Sequence, residues 1–140
     1  EPYRTLVAGD VSAAPESWEP LTHETPTRPV GLYGCTKVWG EALARHYADS
    51  DDLSVICLRI GAVNAEDQPL QPRHESVYCS QQNIACLVEA CIDAPPSLKF
   101  DIFYGVSKNP LNYRDTEHAR QVLGFDSMGS SRKAAEARAI

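Results

Sequence analysis

The sequence predicts an α/β fold, present here as the C-terminal part of a larger parallel sheet, and three observations lead there. Helical and extended patterns alternate along the chain, as they do where crossovers join parallel strands. The clearer strand, within Leu53–Ile60, is apolar at successive positions, which suits a parallel strand covered on both faces. Only two dependable strands occur in 140 residues, too few for a stable sheet. Most of the sheet is therefore expected in a missing N-terminal part, in keeping with a chain that lacks an initiator Met and opens inside a loop.

Residues 1–29 hold five prolines and little periodicity, and are expected to form an extended loop segment. The first helix is expected from about Val30, after Arg28-Pro29, to about Ala48. Leu32, Cys35, Trp39, Leu43, His46 and Tyr47 recur at helical spacing and predict a buried stripe. Tyr33, Lys37, Glu41 and Ala44 fall on another face. Asp49-Ser50-Asp51-Asp52 ends the helix, and the strand Leu53–Ile60 follows until Gly61.

Residues 62–79 read as a polar, proline-containing loop. Ser80 is suited to cap the next helix, on which Ile84, Leu87, Val88, Cys91 and Ile92 form the cleanest amphipathic pattern in the chain. Pro95-Pro96 stops it. Lys99–Tyr104 predicts a short strand, and residues 105–110 a turn. Asp115 can cap a last helix carrying Ala119, Val122 and Leu123, closed by Gly124. These elements define a unit over residues 30–126, followed by a flexible tail over 127–140.

Thirteen Lys and Arg against nineteen Asp and Glu give a formal charge of −6. With no basic block, nucleic acid is not expected as a partner. No apolar run approaches the roughly 18 residues of a membrane span, and the N-terminus does not read as a signal peptide. Five scattered cysteines without Cys-x-x-Cys spacing suggest buried or free thiols in a reducing, cytoplasmic setting. The four histidines show no ligand spacing, so no metal site is expected.

The most informative feature is Tyr33 followed by Lys37. Four residues apart on a helix, both project from one face, one turn apart. A phenol ordinarily keeps its proton to about pH 10, and a nearby ammonium favours the phenolate. Such a pair can move a proton to or from a substrate hydroxyl or carbonyl. Spacing alone is a weak signal: with six Tyr and four Lys in 140 residues, chance supplies roughly 0.17 such pairs.

The surrounding residues sharpen it. Tyr33-Gly-Cys-Thr-Lys37, Gly40-Glu41-Ala-Leu-Ala-Arg45 and Cys57-Leu-Arg-Ile-Gly61 resemble the extended short-chain dehydrogenase/reductases, within them the NAD-dependent epimerase/dehydratase family. Phe100-Asp-Ile-Phe-Tyr-Gly-Val-Ser-Lys-Asn109, His118-Ala-Arg120 and Leu123-Gly-Phe125 look most like the uronate dehydrogenase branch. The resemblance implies a Rossmann-type doubly wound parallel sheet whose N-terminal nucleotide-binding half is missing from this chain.

The resemblance also implies roles. Tyr33 would be the general acid/base, and Lys37 would lower its pKa and bind the nicotinamide ribose. Ile60, Gly61 and Ala62 would lie against the nicotinamide, beyond a strand's carboxyl end. Arg73 is placed where uronate dehydrogenases carry an arginine for the sugar carboxylate, with an exposed loop arginine equally consistent. NAD is the implied cofactor; NADP stays open, because the residue that selects between them is not in the chain. The implied reaction is oxidation of a small sugar acid, an aldohexuronate, to its aldonolactone, by a homodimer. A nucleotide-sugar epimerase or dehydratase and a non-catalytic NAD-binding scaffold are the alternatives. The family's glycine-rich phosphate loop is absent, and its serine is expected upstream of Glu1 since nothing around Ser12 matches, so the chain alone is expected to be inactive.

Other residues read as structural. Arg59 is expected to pair with a buried carboxylate, Cys35, His46 and Tyr47 to pack, and His74 to be solvated. Asn83 stands where the family often has an acid. Ser107 and Asn109 fit a pocket or a turn equally well.

Overall fold

The computed structural model describes residues 3–127. Its elements run α1 (Tyr3–Ala8), α2 (Gly31–Ser50), β1 (Val55–Ile60), α3 (His74–Val77), α4 (Gln81–Ile92), β2 (Phe100–Gly105) and α5 (Glu117–Leu123). The two strands are parallel and in register from Val55 opposite Phe100 to Ile60 opposite Gly105. The strands, α2, α4 and α5 thus fall within a few residues of their expected places.

The α4 side of the sheet closes a core. Leu87, Phe103, Ala119 and Phe125 are buried together, with Ile56, Leu58, Ile84 and Cys91 packed against them. Ser80 caps α4, its hydroxyl accepting from the Asn83 amide at 3.1 Å. Asp115 accepts from the amides of Glu117 and His118 and so caps α5, and Gly124 ends that helix at a left-handed φ of 67°. Val88 and Ile92 depart from the amphipathic expectation: both are exposed, Ile92 at 76%. A two-stranded sheet is too narrow to cover the whole helix face.

The same narrowness undoes the stripe expected on α2. Leu32, Cys35, Trp39, His46 and Tyr47 are exposed and Leu43 is half-buried. The helix instead rests on β1 through the face bearing Glu41, Ala44 and Ala48. No neighbour for the apolar stripe exists among the described residues.

Residues 1–29 are less structureless than their prolines suggest. Leu6, on the short α1, is fully buried against Val77, Leu111 and Tyr113. The indole of Trp18 donates to the Asn112 carbonyl at 2.9 Å. Leu21 bridges to Arg114, its amide donating to the Tyr113 carbonyl and its carbonyl accepting from the Asp115 amide. Single apolar residues at irregular intervals anchor this strap, a pattern that periodicity does not detect.

The 62–79 segment is likewise polar only at its start. Its end, from Ser76 to Cys79, is buried. His74 is buried rather than solvated: its Nδ1 accepts from the Leu70 amide at 2.8 Å. Burial and the neighbouring Arg73 charge hold its pKa below the usual histidine value. Ser127, placed by sequence in the tail, is buried and donates to the Val106 carbonyl. The rest of that tail lies outside the described residues.

Candidate active site

Helix α2 carries Tyr33 and Lys37 on one face, as the four-residue spacing requires. The Lys37 ammonium sits over the Tyr33 ring, 5.0 Å from its centroid, a cation–π arrangement. Tyr33 is 76% exposed. Both line a cavity of about 840 Å³ between α2 and the carboxyl-terminal end of the sheet, together with Trp39, Ile60, Tyr104 and Arg114.

The floor of this cleft is an ion pair. Arg59, on β1, donates from Nε and Nη2 to the two Glu41 carboxylate oxygens at 2.7 and 2.8 Å, and from Nη1 to the Tyr104 hydroxyl at 2.9 Å. Both side chains keep only 20% of their exposure. The forked geometry is the strong form of a carboxylate–guanidinium contact, and the Glu41 hydrogen bonds raise the Arg59 pKa further. Arg59 is thus structural, as expected: it ties α2 to β1 and, through Tyr104, to β2. Tyr104 in turn donates to the Thr22 carbonyl on the strap.

Other residues singled out by sequence fall elsewhere. The Gly61 amide donates to the Gly105 carbonyl and the Ala62 amide to the Val77 carbonyl, so neither N–H is free for a ligand. A Cβ on Gly61 would stand 2.1 Å from the Val77 carbonyl oxygen. Close backbone packing therefore accounts for glycine at that position. Ile60 lies in the cleft with half its surface exposed. Arg73 is exposed at the start of α3 and does not line the cleft.

Cys35 is exposed. Cys57, Cys79 and Cys91 have their thiol pKa values raised, by burial first, and read as packing groups. Ser12 turns back on Asp10, donating to its carboxylate at 2.7 Å. Ser107 and Asn109 are buried and hold the turn after β2: the Ser80 amide donates to the Ser107 hydroxyl, and Asn109 Nδ2 donates to the Tyr78 carbonyl. Asn83 is fully buried and donates to the Val106 carbonyl. A carboxylate could not make that bond unless protonated.

Sequence reasoning missed Arg114. It lines the cleft, its guanidinium lies 4.5 Å from the Tyr113 ring centroid, and its buried Nη1 has no hydrogen-bond partner. No spacing in the sequence marks it, because the Leu21 strap brings it into place.

Known proteins resemble this chain in sequence and fold. Residues 4–81 match the profile of the NAD dependent epimerase/dehydratase family. The chain belongs to that family. It is 37% identical over 105 residues to an NAD-dependent glucose-6-phosphate dehydrogenase of Haloferax volcanii, covering 74% of this chain and 39% of that protein. It is 36% identical over 107 residues to a uronate dehydrogenase of Agrobacterium fabrum, covering 76% of this chain and 38% of that protein. The crystal structure of uronate dehydrogenase from Agrobacterium tumefaciens superposes with a TM-score of 0.76 at 31% identity, over 85% of this chain and 43% of that one. A mutant of the same enzyme, complexed with NAD, gives 0.74 at 30% identity, with the same coverage.

This epimerase/dehydratase chain thus spans about two fifths of the length of the relatives it matches. Its residues fit one end of NAD: Tyr33 and Lys37 line an open cleft beside the carboxyl-terminal half of β1, near the strand ends where parallel sheets bind ligands. No Gly-x-x-Gly-x-x-Gly loop for the pyrophosphate occurs in its 140 residues. No helix among those described is long and apolar enough to cross a membrane.

Proposed function

We propose that this chain supplies the acid–base half of an NAD-dependent sugar oxidoreductase that oxidises the anomeric hydroxyl of an aldohexuronate to an aldonolactone. The observation that carries the reading is the Lys37 ammonium over the Tyr33 ring, on the wall of an open cleft. The uronate dehydrogenases among its relatives support the substrate class.

In this mechanism the Tyr33 oxygen accepts the proton of the anomeric hydroxyl as the C1–O bond becomes a carbonyl. NAD supplies the acceptor for the hydride that leaves C1. Lys37, 5.0 Å from the Tyr33 ring centroid, would favour the phenolate form of Tyr33 by its positive charge and would hold a ribose hydroxyl of NAD. Glu41 and Arg59 hold α2 against β1 and so keep Tyr33 over the cleft. Arg114, the cation on the cleft wall outside the Arg59–Glu41 pair and Lys37, would meet a sugar's acidic group.

A second reading keeps the chemistry and changes the anion: a sugar 6-phosphate in place of a uronate, favoured by the Haloferax relative. Glucuronate, galacturonate and glucose 6-phosphate, each given with NAD to the full-length protein, separate the two by NADH absorbance. NADH formed only with the uronates supports the main reading, and formed only with the phosphate supports the second. Product epimerisation with no net NADH would overturn both.

A further inference from the structure

We propose that His23, Asp101 and His118 form a binding site for one zinc-class divalent cation, tying the N-terminal strap to β2 and α5. The three residues come from three separate segments, and one ligand-type atom of each lies within 4.8 Å of the others. None lines the Tyr33 cleft. Two imidazoles and one carboxylate are a donor set suited to zinc, which leaves a fourth position for water.

One observation favours a cation over a plain hydrogen-bonded cluster, a buried His23 ring nitrogen left without a partner. His118 Nε2 and Asp101 Oδ1 are 2.8 Å apart, and His23 stacks on the His118 ring with centroids 4.0 Å apart and planes inclined by 15°. The Nδ1 of His23 is buried without a hydrogen-bond partner. A buried, unpartnered ring nitrogen is costly unless something accepts its lone pair or its proton. A metal ion would take that lone pair.

The surroundings already orient the ligands. The Ile102 amide donates to Asp101 Oδ1 at 2.7 Å, and the Phe103 ring packs on His118 with centroids 5.1 Å apart. Hydrogen bonds of this kind to ligating groups are typical support for a metal site. His118 is the second residue of α5. Its neutral form is the one that coordinates. To bind through Nε2 it takes the Nδ1–H tautomer, with the ion replacing the hydrogen bond to Asp101. Because the two rings are stacked, binding one ion requires the His23 ring to turn out of the stack as well as the three atoms to close to the roughly 3.3 Å separations of a tetrahedral zinc site.

This site escaped the sequence because its histidines are 95 positions apart. The test uses the full-length protein, stripped with chelator and titrated with Co²⁺ and Zn²⁺. The expected result is tetrahedral Co²⁺ d–d absorption without a cobalt–thiolate band, and a thermal midpoint raised by Zn²⁺. His23→Gln, on the strap, and His118→Gln should each weaken Zn²⁺ at least about tenfold, with circular dichroism showing that both variants fold. Absence of metal uptake, a thiolate band, or uptake unchanged in the folded His23→Gln protein would overturn the proposal.

Discussion

The two faces of the β1–β2 ribbon are built on opposite principles. On the α4 and α5 side, Leu87 and Phe103 are sealed from solvent and the polar groups within the core are matched: the Ser80 cap, Asn83 on Val106, Ser127 on the same carbonyl. On the α2 side, Leu32 is 85% exposed and Trp39 66%. The helix is fastened there by the Arg59–Glu41 fork and lies alongside the carboxyl end of β1. One face is closed by local chain around Leu87 and Phe103, with Val88 and Ile92 left exposed at its edge, and the other presents an apolar stripe of the kind that marks an interface. Tyr33 and Lys37 belong to the second face, so their chemistry depends on what covers it.

The sharpest way to break this comparison is at Tyr33. In the full-length protein, Tyr33→Phe removes the proposed proton acceptor while leaving the ring under Lys37. We expect kcat to fall about 10²–10⁴-fold, the usual weight of a positioned acid–base group, with melting temperature and NAD affinity little changed. A variant with normal kcat would remove Tyr33 from the reaction. Next in size is Leu87→Ala on the closed face. Leu87 has no exposure, and emptying such a site costs about 3 kcal/mol. Urea unfolding should show that loss as a lower midpoint at constant slope, while kcat at permissive temperature is retained. Equal activity losses in both variants would mean that the two faces are not separable.

How much of this was legible in the sequence follows the same division. Elements defined by local signals came through: Ser80 as a cap, Gly124 as a stop, and Tyr33 with Lys37 on one face. Arg59 was expected to find a carboxylate, and Glu41 is that carboxylate. Burial was read well only where the chain supplies its own partner. The α2 stripe is apolar by spacing yet exposed, because spacing reports what a face is suited to and not what lies opposite. The Leu6–Trp18–Leu21 strap was missed for the reverse reason: its anchors have partners far along the chain but no period. Arg114 and the His23–Asp101–His118 cluster were missed with it, since both depend on where that strap lies.

The fork joining the two faces should give a smaller effect. Glu41→Gln keeps the shape but leaves Arg59 half-buried without its anion. We expect about 2 kcal/mol of lost stability, the range for a hydrogen bond to a charged group. If the fork also keeps Tyr33 over the cleft, KM and kcat should both worsen modestly; unchanged kinetics would confine Glu41 to stability.

The smallest expected effect isolates backbone from packing. Gly124 sits at φ 67° with no atom within 4 Å of where a Cβ would be. Its amide donates to the Arg120 carbonyl, and the Phe125 amide donates to the Ala119 carbonyl, turning the chain so that Phe125 enters the core. Gly124→Ala therefore meets no clash and is opposed only by the left-handed conformation, about 1 kcal/mol. Gly124→Asn should recover part of that, because asparagine tolerates the same region. A loss from Gly124→Ala closer to that of Leu87→Ala would show that the turn had shifted and withdrawn Phe125, making the closed face depend on one backbone torsion as well as on its apolar contacts.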